Sequence, residues 1–305
     1  MYTTATLNRY WRRLARALSL ALVTGLFFSG AASAATRPTT AVPEAVPIVL
    51  PAVLPAAPSA VIPATAAQLA AAMDVAPGDL VSADLMGSDP AGVGVSNAPL
   101  GYFFPTHGST FAILSTGRAM SATQPNNEGD LSSELGGLNN NQGNDLVRLH
   151  MQLHVPANVN CANFDFSYYS EEFPEWVGSS FNDAFTAQLN DPTISVSDTV
   201  TGSVVYAPHN FALDSLGNVI SVNTVFGVSY PTGTTYDGVT PFLQARAVVT
   251  PSTTIDLYLS IQDLGDSIYD SAVFLDHFHW SQDAKCSSGT LSVGRVFVPL
   301  VQRGP

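Results

Sequence analysis

The chain has 305 residues, 46% of them apolar and only 11% charged, against about 25% charged in an ordinary soluble domain. This composition excludes a disordered chain and a coiled coil. Twenty-four acidic residues face 11 basic ones, a formal net charge of −13, and Arg9, Arg12, Arg13 and Arg16 stand at the very start, so the remainder is more acidic still and nucleic acid is excluded as a partner.

The four arginines precede the apolar run from Ala17 to Phe28, then Ser29-Gly30 and the small residues Ala32-Ser33-Ala34. That is the layout of a secretory signal peptide over residues 1–34, cleaved after Ala34. The run is shorter than the about 20 apolar residues a membrane anchor needs, and Arg12-Arg13 lacks the rest of a twin-arginine signal. Residues 35–64 are mostly Ala, Pro, Val and Thr, with prolines recurring from Pro38 to Pro63. Such spacing defeats a helix or a central strand and predicts an extended spacer or an unstructured leader.

A folded domain is expected over residues 65–290. Thr65-Ala66-Ala67-Gln68 has the spacing of a capping box and opens one helix, Ala66 to Met73. Alternation with period two then takes over. Asp145 to Val155 sets Val147, Leu149, Met151, Leu153 and Val155 on one face and Arg148, His150, Gln152 and His154 on the other. Further strands are predicted at Thr110 to Leu114, Asn163 to Tyr169, Phe181 to Leu189, Ser203 to Ala207, Val219 to Val225, Leu243 to Val249, Ile255 to Gln262 and Ser271 to Trp280. Strands broken by Gly, Asn, Asp and Pro turns, without alternating helices, predict an all-β fold: an antiparallel β-sandwich or jelly-roll-like domain with one short N-terminal helix. Residues 291–305 form a short apolar tail, interrupted by Arg295 and Pro299 and too short to span a membrane.

Cys161 and Cys286 are the two cysteines. In an exported protein they are expected to pair, and the chain-entropy model assigns such a long loop about 4 to 5 kcal/mol. Two free buried thiols are the alternative, as in a cytosolic protein.

The acids carry the clearest functional signal. Asp183 shares a strand face with Phe181, Phe185, Ala187 and Leu189, and Asp276 shares one with Ala272, Phe274, Phe278 and Trp280. A carboxylate buried among such residues is costly unless paired, hydrogen-bonded or bound to a cation, and basic partners are few. Glu171, Glu172 and Glu175 cluster in one loop; Asp263, Asp266 and Asp270 cluster in another. Ca²⁺ takes six to eight oxygens and suits loops of this kind, so Glu171, Glu172, Asp183, Asp263, Asp266, Asp270 and Asp276 are the candidate Ca²⁺ ligands. No EF-hand spacing is present, and acids that cap turns by accepting amide hydrogen bonds are the other use open to them. His277 with His279, and His150 with His154, could hold a transition metal, although histidines on a strand face more commonly meet solvent.

No G-x-S-x-G, H-E-x-x-H, Walker loop or C-x-x-C occurs. A polysaccharide-acting glycoside hydrolase would need only two carboxylates, Glu172 and Asp263 for instance. A glycan-binding module would need exposed aromatics, for which Tyr168, Tyr169, Trp176, Tyr230 and Tyr236 are available, with Trp176 and Tyr236 as the ligand-binding candidates.

The string from Ser170 through Glu171-Glu172-Phe173-Pro174-Glu175-Trp176 to Phe185, and that from Asp263 through Asp270 to Asp276, resemble the two signatures of the choice-of-anchor L domain family. Gln68-Leu69, Ile113 to Gly117 and Tyr236 to Thr240 fall in the order that family shows, so the resemblance runs from about Thr65 to Ser281. It implies a β-rich bacterial domain, secreted or held at the cell surface, without established enzymatic activity, and attached in different members by different C-terminal sorting devices. No L-P-x-T-G is present here. Three functions follow as expectations: a Ca²⁺-stabilised adhesion, matrix or glycan-binding module whose partner is an extracellular glycan or a surface protein; a structural building block without metal; and, behind both, the hydrolase.

Overall fold

The computed structural model describes residues 61–101, 103–126, 131–136, 143–199, 202–224 and 233–292. The expected signal peptide, most of the spacer, Tyr230 and the tail beyond residue 292 lie outside them. Helix α1 (Ala66–Ala72) carries both halves of the capping box: Gln68 N donates to Thr65 Oγ1 at 3.3 Å and Thr65 N to Gln68 Oε1 at 2.8 Å. Thr65→Ala is expected to lower stability by about 1 kcal/mol, read as a drop in the urea midpoint at constant slope.

The strands are β1 (Val61–Pro63), β2 (Leu80–Asp84), β3 (Val93–Ser96), β4 (Phe111–Ser115), β5 (Asn144–His154), β6 (Cys161–Ser170), β7 (Ala184–Leu189), β8 (Ser195–Thr199), β9 (Gly202–Tyr206), β10 (Ile220–Ser221), β11 (Gly238–Val239), β12 (Leu243–Val248), β13 (Thr254–Asp263), β14 (Ser271–Ser281) and β15 (Gly289–Ser292). One sheet runs β1-β3-β4-β14-β6-β12-β15, with β11 on the far end of β6, and the second runs β10-β7-β13-β5-β2. Every pairing is antiparallel, and β8–β9 is a separate hairpin. The result is the β-sandwich that the alternation predicts.

The core lies between the sheets, where Val147, Leu149 and Met151 from β5 and Leu257, Leu259 and Ile261 from β13 join Phe164, Phe166 and Tyr168 from β6. Leu69 and Met73 of the α1 segment pack into the same cluster. The outer face of the first sheet is covered too, Phe111, Ile113, Tyr169 and Phe274 packing with Leu100, Phe104 and Tyr236.

Two boundaries move. Val61–Pro63, assigned to the spacer, pairs with β3 as far as Pro63 opposite Gly94; a proline-bearing segment is admitted because β1 is an edge strand. At the other end β15 extends two residues past 290 and pairs with β12. The strand expected from Phe181 starts only at Ala184, because residues 181–183 belong to a crossover between the sheets. Cys161 and Cys286 form the expected disulfide, with Cα atoms 5.9 Å apart.

Candidate functional site

Two crossovers meet at one end of the sandwich. The chain leaves β6 at Ser170 and reaches β7 through residues 171–183; it leaves β13 at Asp263 and returns to β14 through residues 264–270. Registers of Ser170 with Ser271 and of Ala184 with Gln262 set both crossings at that end. Backbone bonds lace them together: Asn182 N donates to Leu264 O at 3.1 Å and Glu171 N to Asp270 O at 3.1 Å. Gly265 has φ +108° and sits so close that a Cβ would stand 2.8 Å from Ser180 O, so glycine is required on both counts.

Periodicity carries acids into this end of the core. Asp183 extends the inward face of Phe185 and Ala187, Asp263 extends that of Leu259 and Ile261, and Glu172 lies just past Tyr168 and Ser170. Asp183 and Glu172 have no exposed surface and Asp263 has 1%. Their donors are few: Asp183 Oδ1 accepts from Leu264 N at 2.9 Å, and Glu172 Oε2 accepts a long bond from Asp183 N at 3.4 Å. Glu172 Oε1, Asp183 Oδ2 and Asp263 Oδ1 are buried without a donor at hydrogen-bond distance, although Ser271 and Asp263 stand close enough to Asp183 to ease the rise in its pKa.

Burial is the main cause that raises all three carboxyl pKa values well above the carboxylate range, and mutual repulsion adds to it at Glu172 and Asp263. The two arginines held within the sheets are engaged elsewhere, Arg148 with Ser260 and Arg246 with Asp283. Beside the acids, Tyr168 Oη donates to Asp183 O at 2.9 Å and contacts Ser271 Oγ at 3.0 Å.

The seven candidate ligands therefore divide. Asp266 stays near the three buried acids and adds to the repulsion at Glu172 and Asp263, while its own Oδ1 accepts from Ile268 N at 2.9 Å as a turn cap. Asp270 is bound by Ser133, through Oγ at 2.7 Å and N at 3.1 Å, and burial pushes its pKa up to about 6. Glu171 accepts from Thr235 Oγ1 at 2.9 Å.

Asp276 belongs to another place altogether. It is buried, as the pattern predicts, but on the outer face of the first sheet, with Ala272 and Phe274 and not with Phe278 and Trp280. A bulge between Asp276 and His279, with His277 at φ +52°, inserts one residue and reverses the alternation. Phe278 thereby joins the inter-sheet core, and Asp276 is satisfied by the amides of Thr106 (2.6 Å), His107 (3.0 Å) and His277 (2.6 Å). Among the described residues, no three His, Cys, Asp or Glu side chains are placed so that they could hold a metal ion. His277 and His279 stack at 4.4 Å and His107 joins the column at 4.7 Å; their Nδ1 atoms bond Asp165, the His277 carbonyl and Asp74.

Of the two ligand-binding candidates, Tyr236 is wholly buried against Tyr169 and offers no face to a ligand. Tyr168 and Tyr169 are buried as well. Trp176 is 36% exposed. Its indole is braced by Phe181 at 5.0 Å and by Tyr269 at 6.3 Å. Tyr269 was not singled out in the sequence; it comes to the site because the second crossover folds against the first. Glu172 and Asp263, the pair taken as an instance for a hydrolase, are both buried.

No curated protein matches the chain. Among solved structures, TmCBM61 in complex with beta-1,4-galactotriose is 10% identical, covering 68% of this chain and 92% of that one at a TM-score of 0.27. The carbohydrate-binding module TmCBM27, described for specific mannan recognition, is 13% identical, covering 66% and 95% at a TM-score of 0.28. At such scores the likeness bears on neither site nor ligand. No helix of the described residues is long and apolar enough to cross a membrane. Residues 84–279, well over half of the chain and including both crossovers, match the model of the choice-of-anchor L domain, and the chain belongs to that family.

Proposed function

We propose that the protein is a non-catalytic bacterial module, secreted or held at the cell surface, that binds an extracellular glycan or a surface or matrix protein and is stabilised by Ca²⁺ at its paired crossovers. The observation that supports the metal is the set of three buried carboxyls, Glu172, Asp183 and Asp263, each with an oxygen that has no donor at hydrogen-bond distance. Their donor chemistry, hard oxygens on loops, is that of Ca²⁺ sites, whose remaining positions carbonyls and water can fill. Because the carboxyls are not already grouped as a metal cage, uptake requires side-chain rotation, and Asp266, whose charge acts on both Glu172 and Asp263, is a further acid at this end.

Thermal unfolding of the mature protein in EGTA and then in millimolar Ca²⁺ tests this. A cation that binds only the folded state at a hundredfold excess over Kd adds about 2.7 kcal/mol, or about 5 to 10 °C in Tm for a domain of this size. An unchanged Tm at neutral and alkaline pH removes calcium from the proposal. The missing cage favours a second reading, a structural block whose buried acids remain protonated, and in that case chelation and calcium leave the unfolding curve where it is.

A further inference from the structure

Among the described residues, the one aromatic candidate that stays partly exposed, Trp176, is built into the same two crossovers as the buried acids. Trp176 stands on the first, in a turn closed by Trp176 N to Glu172 O at 3.0 Å and Ser179 N to Trp176 O at 2.9 Å. Tyr269 stands on the second, its ring plane within 29° of the indole plane. Their chain neighbours Val177 and Ile268 are 39% and 46% exposed. Phe181 and Tyr269 brace the indole, so little side-chain entropy is lost when a ligand docks on it.

We propose that this Trp176–Tyr269 face is a docking surface for a neutral glycan; the inference rests on reading the chain as a glycan-binding module and supplies its contact site. Size argues for the class: two rings and two aliphatic neighbours fall well short of the roughly 800 Å² per partner of a stable protein interface. An aromatic face offers a flat apolar surface to the C–H face of a sugar ring. Charge sets the sugar type. Glu175 adjoins Trp176 in the chain, Asp266 lies in the second loop, and the whole chain carries −13. Uronate, sulfate and anionic lipid are therefore repelled, whereas a neutral sugar is not.

Affinity electrophoresis of the mature protein through gels containing a neutral mannan, a neutral galactan or polygalacturonate tests this, with Trp176→Ala and Tyr269→Ala run beside the parent. The expected result is retardation by at least one neutral polymer, none by polygalacturonate, and at least a tenfold loss of affinity in Trp176→Ala with an unchanged Tm. Absence of retardation in both neutral gels, equal retardation in polygalacturonate, or full binding by Trp176→Ala overturns the proposal. The calcium reading fails separately: glycan binding that depends on Trp176, without any Tm response to Ca²⁺, leaves this face standing and removes the metal.

Discussion

In EGTA the domain is expected to lose stability as pH rises from about 4 to 8, the reverse of the usual behaviour of surface carboxylates. An unfolded Asp or Glu releases its proton near pH 4. Folded Glu172, Asp183, Asp263 and Asp270 hold theirs to higher pH, because burial penalises the charged form. Between those limits the native state binds more protons than the unfolded state, so stability falls with rising pH. Asp270, which titrates at about 6, alone implies a loss of about 3 kcal/mol across that window, at about 1.4 kcal/mol per pH unit. That corresponds to roughly 6 to 12 °C in Tm, and the three more deeply perturbed acids extend the decline to higher pH. Exposed Asp191 and Asp283, lowered by hydrogen bonds from Thr193 and from the Lys285 amide respectively, act in the opposite sense near their own titration, and solvent screens them.

Asp263→Asn separates the buried cluster from the rest. The amide keeps the shape and removes the charge, so the variant is expected to be more stable than the parent in EGTA at pH 8, with a shallower pH dependence above 6 and no response to Ca²⁺. The readout is the Tm of both proteins from pH 4 to 9, with EGTA and with calcium. A parallel pair of curves, the variant lower throughout, means that Asp263 is an ordinary hydrogen-bonded acid. In the parent, calcium stabilises more at pH 8 than at pH 5, since the carboxylates must lose their protons before they can coordinate.

The sandwich could be read from the chain because two of its long strands, β5 and β13, alternate over most of their length, while β14 is apolar on both faces up to its bulge. β5, β13 and β14 bury Val147, Leu149, Leu257, Leu259, Val273 and Leu275 as the pattern requires. Strands β1, β2, β3, β11 and β15 are two to five residues long, too short for a period of two to stand out. The helix was legible through Thr65 and Gln68, whose capping is local. Burial of Asp183 was legible for the same reason, since face membership within one strand is a local property.

What satisfies a buried acid is not local. Asp276 finds its amides at Thr106 and His107, 170 and 169 residues away, and Asp270 finds Ser133 at a separation of 137. A bulge leaves no mark in composition, so the reversal of faces at His277 could not be anticipated. The fates of Trp176 and Tyr236 differ for the same reason. Both sit in turn-rich segments with similar sequence cues, and only the packing of Tyr236 against Tyr169 in the outer cluster removes it from solvent.

Loss of the disulfide is expected to be the largest single covalent effect on stability. Cys161 opens β6, a central strand of its sheet, and Cys286 precedes β15, the edge strand beyond β12, so the bond ties the sheet margin to its middle across 125 residues. Constraint of the unfolded chain by a loop of that length amounts to about 4 to 5 kcal/mol. Paired Cys161→Ala and Cys286→Ala substitutions are therefore expected to lower Tm by on the order of 10 °C. They should also release β15 first, because as an edge strand it is held by a single short ladder, to β12, and Arg246 with Asp283 and Asn160 with Asp283 O at 2.9 Å fix only the segment that leads to it. Hydrogen exchange resolves the order. Amides of Ala245 and Ala247 on β12 are expected to stay protected by β6, while those of Thr290 and Leu291 exchange freely in the variant. Uniform loss of protection throughout the sandwich would instead mean that the bond stabilises the fold as one cooperative unit, with no weak margin at β15.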